Sequence, residues 1–161
     1  MPRPAVSALA LGIAMLAATP AAGIAQARAS NPMHLAAGVR SGRDFENHAW
    51  SMGAQASIPF FKRLELRPSG DWFSGDETPF RWQLNADGAI RFGPGGTVYG
   101  GGGAAFVRVR ALEEVKTGYN IFAGIVPARP GSKIRPFIEA RWTWVNDESP
   151  FRLVLGFDKV F

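Results

Sequence analysis

The fold is decided by the stretch Phe151-Arg-Leu-Val-Leu-Gly-Phe-Asp-Lys-Val-Phe161, with which the sequence ends. Every second residue from Phe151 to Phe157 is large and apolar, whereas the residues between them are mixed in character. Because neighbouring side chains of a β-strand point to opposite sides of the sheet, a two-residue period predicts a strand. One face of this strand is apolar, and the other carries Arg152 and Asp158.

The same two-residue period recurs along the chain between turns that contain glycine, proline or acidic residues. In one clear example Trp82 and Leu84 alternate with Gln83 and Asn85. Turn residues between such segments indicate reversals of an antiparallel chain, and no stretch shows a helical period. The pattern therefore predicts an all-β domain of eight antiparallel strands, over residues 33–42, 48–60, 63–74, 79–92, 97–110, 115–128, 133–145 and 150–161.

The N-terminal segment has the features of a secretory signal peptide. A basic residue, an uncharged apolar run and two small residues in cleavage-site spacing follow one another within residues 1–27. We expect cleavage after Ala27, with cleavage after Ala29 as the alternative, which leaves residues 28–161 as one barrel-sized domain. The apolar run is too short for a membrane-spanning helix, which needs about 20 residues.

Composition limits the functional classes. The chain has no cysteine, so an exported domain of this sequence has no disulfide framework and depends on backbone hydrogen bonds and packing. The formal net charge is +5, but the arginines are spread singly along the strands, which argues against nucleic-acid binding. Nothing in the composition or spacing indicates a metal site or a cofactor, and we expect neither.

Aromatic residues recur ten positions apart on the apolar faces of three predicted strands. The pairs are Trp50 and Phe60, Trp82 and Phe92, and Phe151 and Phe161. Ten residues at ~3.3 Å each, tilted by ~40° from the barrel axis, cover roughly 25 Å, the height of the apolar band of an outer-membrane barrel. We therefore predict a membrane barrel with an aromatic girdle formed by Trp50, Phe60, Trp72, Trp82, Phe92, Trp142, Trp144, Phe151 and Phe161.

The opposite faces of the strands carry many full charges. An arginine or lysine that faces lipid near the midplane costs about 2–4 kcal/mol, so we expect these charges to face the barrel interior. The predicted lumen network comprises Glu65, Arg67, Arg81, Asp87, Arg108, Arg110, Glu139, Arg141, Arg152 and Asp158.

These lumen charges allow two interpretations. An eight-stranded barrel is just wide enough to be filled by side chains, which favours a network of ion pairs that closes the lumen. The alternative is the charged lining of a narrow pore that favours anions. On the first interpretation Glu139 pairs with Arg141 or Arg81, Glu65 pairs with Arg67, and lumen water solvates the basic surplus. The glycine run 100–103 would then make room for large lumen side chains.

The connections between the predicted strands fall into two alternating sets. Three are rich in glycine, proline or basic residues and lie near residues 59–62, 93–96 and 129–132. Four contain an acidic pair, namely Asp44 and Glu46, Asp76 and Glu77, Glu113 and Glu114, and Asp147 and Glu148. An eight-stranded barrel with both ends in the periplasm has three periplasmic turns and four external loops, and the two sets follow that order.

Four segments point to one family. They are the signal peptide, Tyr99-Gly-Gly-Gly-Gly103, Pro136-Phe-Ile-Glu-Ala-Arg141 and the final strand. Together they resemble the small eight-stranded barrels of the OmpA/OmpX type and the opacity-like proteins of Gram-negative bacteria. The resemblance covers residues 33–161 and implies an up-and-down transmembrane β-barrel in the outer membrane. It also implies contact with outer-membrane lipid and lipopolysaccharide, insertion by the barrel-assembly machinery through residues 151–161, and a monomeric state.

The sequence favours a non-enzymatic protein for envelope structure or surface interaction, with a narrow porin-like channel as the alternative. Lipid-modifying barrels that resemble this architecture use a histidine, a serine and a carboxylate near the outer leaflet. In this chain His48, with Glu46 and Ser51 close in sequence, comes nearest to that set. A soluble lipocalin-like barrel would need an apolar interior, which inward-facing arginines contradict. We therefore assign no catalytic, cofactor-binding or metal-ligating residue.

Overall fold

The computed structural model describes residues 34–75, 78–110, 114–127, 132–146 and 148–161. The predicted signal peptide lies outside the described residues, as do Asp76, Glu77, Glu113 and Asp147 of the acidic loops. No helix in the described part of the chain is long and apolar enough to cross a membrane. Eight strands are present: β1 (Ala36–Asp44), β2 (Trp50–Pro59), β3 (Leu64–Ser74), β4 (Phe80–Phe92), β5 (Val98–Val109), β6 (Val115–Ile125), β7 (Ile134–Trp144) and β8 (Phe151–Val160).

The strands close into one barrel in which every strand is antiparallel to its neighbours in sequence. β1 pairs with β8 from Ala36 and Val160 to Asp44 and Arg152, so the final strand closes the barrel. The prediction of an all-β, eight-stranded antiparallel barrel is confirmed, and the strand bounds differ from the predicted ones by no more than three residues.

The two ends of the barrel differ in their connections. We call the end where β1 begins and β8 ends the terminal end, and the opposite end the loop end. At the terminal end, β4 and β5 are joined by a single 3-10 turn, Pro94–Gly96, in which Gly95 and Gly96 both have φ of +67°. Glycine adopts this left-handed conformation without steric penalty, which explains the glycine-rich sequence of the turn.

Side chains alternate between a buried interior and an exposed outer wall. Along β8, Arg152 and Asp158 are buried, whereas Leu155 and Phe157 are 52% and 59% exposed. The same alternation places large apolar side chains around the whole wall, whereas the described interior holds more polar and charged residues than apolar ones, unlike that of a soluble barrel. Such a wall is stable in contact with an apolar medium, as in membrane barrels.

The predicted inward orientation of Arg81, at the loop end of β4, is wrong. A β-bulge lies between Phe80, which is opposite Val109, and Trp82, which is opposite Arg108. A bulge adds one residue to one strand, and here it turns Phe80 into the interior, where it is 1% exposed. Arg81 is consequently exposed on the outer wall instead of facing the lumen.

Arg108 and Arg110, which were also predicted to face the lumen, lie outside it. Arg108 is on the outer wall, because the buried residues of β5 end in Ala105 and Val107 and the alternation continues regularly. Arg110 lies at the rim and donates hydrogen bonds to the carbonyl oxygens of Phe73 at 3.2 Å and Phe80 at 3.3 Å. The physical reason is depth: the penalty for an outward arginine falls to about 0–1 kcal/mol near the interface, so charge does not fix the facing there.

The glycines of β5 and β6 make room for aromatic rings in the lumen. A Cβ atom added at Gly101 would come within 2.8 Å of Phe122 Cζ, and one added at Gly124 would meet the ring of Tyr99. Both rings are buried beside these glycines, with Tyr99 1% and Phe122 4% exposed. Glycine at these positions therefore permits a filled interior in a narrow barrel.

Candidate functional site

The first ionic cluster in the lumen is centred on Asp71. Arg40 donates from Nε to Asp71 Oδ1 at 2.7 Å and from Nη2 to Oδ2, which makes the pair bidentate. Arg152 donates from Nη1 to Asp71 Oδ2 at 3.3 Å and from Nη2 to Gln83 Oε1 at 2.9 Å. All four side chains are buried. One carboxylate on β3 thus connects β1 and β8 by charge-assisted hydrogen bonds, which are the stronger kind.

The second cluster is centred on Glu139 and lies nearer the terminal end. Its Oε1 accepts from Arg141 Nε at 2.9 Å, and its Oε2 accepts from Arg67 Nη1 at 3.3 Å and from the Tyr99 hydroxyl at 3.0 Å. Arg141 also donates to Asp87 Oδ2 at 2.7 Å. Of the two partners predicted for Glu139, the structure therefore shows Arg141 and not Arg81.

The third cluster lies at the terminal end. Glu65 accepts from Arg91 Nε at 2.9 Å and from Arg91 Nη2 at 3.2 Å. The predicted partner Arg67 is farther away, with 3.7 Å between its Nε and Glu65 Oε1. Asp158 is paired with an amide, since it accepts from Gln55 Nε2 at 2.8 Å.

Neutral side chains connect the first two clusters. Asn120 donates to Asp87 Oδ1 at 3.1 Å, and its own Oδ1 accepts from Gln83 at 3.2 Å and from the Thr143 hydroxyl at 2.7 Å. Gln83 belongs to the Asp71 cluster and Asp87 to the Glu139 cluster. The hydrogen bonds therefore form a continuous network across the barrel, in which the partners orient one another.

Aromatic rings cover the guanidinium groups of this network. The Cζ atom of Arg67 lies 4.2 Å from the ring centroid of Tyr99, and that of Arg141 lies 4.6 Å from the centroid of Phe122. Cation–π contacts of this kind gain strength when the cation is shielded from water. The rings therefore compensate part of the desolvation of the two buried arginines.

The charges of the lumen are close to balance. Among the described residues the buried set contains five arginines and six carboxylates: Arg40, Arg67, Arg91, Arg141 and Arg152, with Asp44, Glu65, Asp71, Asp87, Glu139 and Asp158. The expected basic surplus in the lumen is wrong, because Arg81, Arg108 and Arg110 are outside it.

Seven of the ten predicted lumen charges lie in this buried set. Sequence reasoning missed the other four members, which are Arg40, Asp44, Asp71 and Arg91. The two-residue period of the strands could have identified them. Each of them has its side chain on the same face as the predicted lumen charges of its own strand or of the paired strand.

The predicted girdle residues divide between the two ends of the outer wall. Trp50, Trp72, Trp82, Trp142, Trp144 and Phe151 lie at the loop end, and Phe60, Phe92 and Phe161 lie at the terminal end. Rings pack against one another at the loop end, with centroids 4.6 Å apart for Trp142 and Phe151 and 5.1 Å apart for Tyr119 and Trp144. The chain's five tryptophans are therefore all at the loop end.

The residues of the enzymatic alternative are not brought together. His48 is exposed in the β1–β2 loop with φ of +48°, whereas Ser51 is buried on the inner face of β2. Partial burial, followed by the negative charges of Asp44 and Glu148, raises the pKa of Glu46. Among the described residues, no group of three or more His, Asp or Glu side chains could hold a metal ion.

Comparison with known proteins identifies the fold. No protein-family model and no curated protein matches the chain. Among solved structures, the N-terminal β-barrel domain of Pseudomonas aeruginosa OprF matches with a TM-score of 0.68 and 16% identity, over 81% of this chain and 98% of that chain. The chain has the fold of the small eight-stranded outer-membrane barrels.

Designed proteins also share this barrel fold. A de novo designed transmembrane β-barrel matches with a TM-score of 0.56 and 14% identity, over 81% of this chain and 97% of that chain. The designed barrel TMB2.3, solved by solution NMR, matches with a TM-score of 0.55 and 14% identity, over 81% and 95% of the two chains. At these identities the likeness concerns the fold, which is that of a membrane barrel.

Proposed function

We propose that this chain is a non-enzymatic integral protein of the outer membrane, with a lumen closed by its ion-pair network, that serves envelope structure or surface interaction. The observation that carries the proposal is the continuous, nearly charge-balanced network of buried side chains across the barrel. The loop end would face the outside, and the terminal end would face the periplasm. The chain would act as a monomer, delivered by a cleaved signal peptide and inserted by the barrel-assembly machinery.

Membrane residence is supported by the outer wall. Large apolar side chains such as Met52 at 72% and Val39 at 64% exposure lie between two aromatic rims. In water this wall would aggregate, whereas in a bilayer it contacts acyl chains. Outer-membrane lipid, including lipopolysaccharide, is accordingly the proposed surrounding of the wall.

The energetics of the buried ion pairs support a closed lumen. A conducting path through the barrel would have to separate partners such as Arg141 and Asp87, whose N–O distance is 2.7 Å. Removal of one partner from a buried ion pair costs about 3–5 kcal/mol, and an ion that crosses the lumen would have to separate several such pairs one after another. The narrow-pore alternative therefore requires partner exchange within the network or water between its members.

Planar-bilayer recording of the purified protein tests this point. We expect no discrete, stable current steps above those of protein-free bilayers. The matched control is Arg43→Gln, which changes one arginine on the outer wall and should behave as the wild type. Stable openings of uniform size would refute the closed lumen and favour the narrow channel.

Cell fractionation tests membrane residence separately. We expect the protein in the outer-membrane fraction, with heat-modifiable migration on gels after detergent extraction. Recovery of folded protein from the soluble periplasmic fraction would refute the proposal. Lipid A profiles from cells with wild-type protein and with His48→Ala should be identical, and a changed profile would restore the enzymatic alternative.

A further inference from the structure

Two arginines lie close together on the outer wall of the barrel, a surface that is otherwise mostly apolar. Arg81 and Arg108 lie at the loop end of β4 and β5. Together with Trp72, Val109 and Arg110 they line an open cleft of about 410 Å³. The cleft is on the wall of the barrel, separate from the ionic network in the lumen.

The cleft lies at the height of the tryptophan rim. Trp72 is directly opposite Trp82 in the β3–β4 register, and Trp82 is opposite Arg108 in the β4–β5 register. Tryptophans of membrane barrels mark the boundary between the apolar band and the lipid headgroups. An outward arginine at this height therefore meets headgroups rather than acyl chains.

The cleft is formed by local features of the backbone and side chains. The bulge between Phe80 and Trp82 turns Arg81 outward, and its guanidinium carbon lies 5.8 Å from the ring centroid of Trp72. Arg110 is held at the edge of the cleft by its hydrogen bonds to two strand carbonyls. Guanidinium groups therefore lie beside the indole ring of Trp72, a residue that is 57% exposed.

The outer wall between the cleft and the terminal end carries a large apolar pair, Leu84 opposite Phe106, followed by small residues. In the β4–β5 register Ala86 is opposite Ala104, and Gly88 is opposite Gly102. All four residues lie at positions on the outer face of their strands. On β7 and β8, by comparison, the outward residues Ile138 and Leu155 are opposite each other. The wall next to the basic cleft therefore offers acyl chains an apolar surface, first on Leu84 and Phe106 and then along the small residues.

We propose that this cleft binds the phosphate-bearing headgroup of an anionic lipid of the outer leaflet, with its acyl chains on the adjoining apolar wall. Arginine matches phosphate geometry with two parallel N–H donors, and the exposed indole of Trp72 packs against the sugar or glycerol part of the headgroup. The inference rests on the proposed membrane residence, and it deepens the proposed function by naming the lipid chemistry and the site.

The test counts lipids bound to the purified barrel by native mass spectrometry from micelles that contain phosphatidylcholine. The probes are diphosphorylated lipid A and the same glycolipid after removal of its phosphates. We expect wild-type protein to retain the phosphorylated form about tenfold better, a difference that Arg81→Gln/Arg108→Gln removes. Arg43→Gln is the matched control, because Arg43 lies at the same end of the wall over the Trp50 ring but outside the cleft.

Each other outcome overturns a defined part of the inference. Equal retention of both lipids by the wild type, or an unchanged preference in the double variant, refutes the site. An equal loss in Arg43→Gln assigns the preference to general charge and refutes it as well. Displacement of lipid A by millimolar inorganic phosphate refutes the assignment to a lipid.

Folding and location are read separately from binding. Heat-modifiable migration reports an intact barrel for every variant, and Arg81→Gln by itself replaces the double variant if the latter does not fold. A folded, membrane-resident barrel without a phosphate preference refutes this inference and leaves the proposed function in place. Wild-type protein in the soluble fraction refutes the proposed function instead.

Discussion

Replacement of Glu139 by glutamine tests whether the lumen network is shielded from water. The carboxylate of Glu139 is fully buried and accepts hydrogen bonds from Arg141, Arg67 and Tyr99 at distances of 2.9 to 3.3 Å. Glutamine has nearly the same shape but no charge, and its amide turns an N–H group toward one of these donors. The change therefore removes the counter-charge of two buried guanidinium groups without opening a cavity.

The expected magnitude follows from the partners that remain. Removal of one member of a buried ion pair costs about 3–5 kcal/mol. Arg141 keeps Asp87 at 2.7 Å, whereas Arg67 keeps the longer contact to Glu65 at 3.7 Å. Because one of the two arginines stays well paired, we expect Glu139→Gln to lower the free energy of unfolding by about 3 kcal/mol, the lower end of that range.

Urea unfolding of the barrel in phosphatidylcholine vesicles, followed by tryptophan fluorescence, measures this loss. Glu114→Gln is the matched control, because it makes the same chemical change at an exposed ion pair with Lys116 and should leave the midpoint unchanged. A loss below about 1 kcal/mol for Glu139→Gln, the value typical of solvated pairs, would refute the shielded network. It would mean that water reaches both arginines, as a pore requires.

Three further predictions use the same unfolding assay. Tyr99→Phe should cost about 1 kcal/mol, because it removes one hydrogen bond to Glu139, and a cost near zero would argue against that bond. Gly124→Ala should cost about 1–3 kcal/mol, because the added methyl group meets the Tyr99 ring, and a neutral result would mean that the ring is free to move. Protonation of Glu46 favours the folded state because its pKa is raised, so stability should rise as pH falls through that raised pKa toward its ordinary value of 4.5. Glu46→Gln should abolish this rise, and a rise of the same size in the variant would assign it to other groups.

The sequence was sufficient for the fold because membrane barrels repeat one simple pattern. The alternation along β8 and the ten-residue spacing of Phe151 and Phe161 depend on strand geometry and bilayer thickness, which are the same on every strand. Turn residues then separate the strands. These local signals determine the number and order of strands, and closure follows because an open edge is not tolerated in lipid.

The facing of charges could be predicted near the midplane but not at the rim. Glu139 and Arg141 had to face inward because the penalty for the outward orientation is large there. Near the interface the penalty is small, so Arg81 and Arg108 can face outward. The bulge before Trp82 also changes the parity of β4, and no local signal in the sequence distinguishes it from regular alternation.

The pairing inside the lumen could not be read from the sequence for a different reason. Parity shows which face a side chain is on, but partners are set by positions across a closed barrel. Gln55 donates to Asp158, 103 residues away, and Arg67 donates to Glu139, 72 residues away. An acid can reach several arginines inside such a narrow barrel, and packing against rings such as Tyr99 decides among them.

The distribution of charge bears on the choice between the two lumen functions. Among the described residues, five of the 15 basic and six of the nine acidic ones are in the buried set, so ten basic and three acidic residues remain outside it. The surplus of positive charge in the described part of the chain therefore lies outside the buried set of the lumen. A pore selective for anions needs the surplus inside, whereas recognition of an anionic membrane surface needs it outside, some of it on the wall. Arg81 and Arg108 meet the second requirement, and the paired arginines of the lumen do not meet the first.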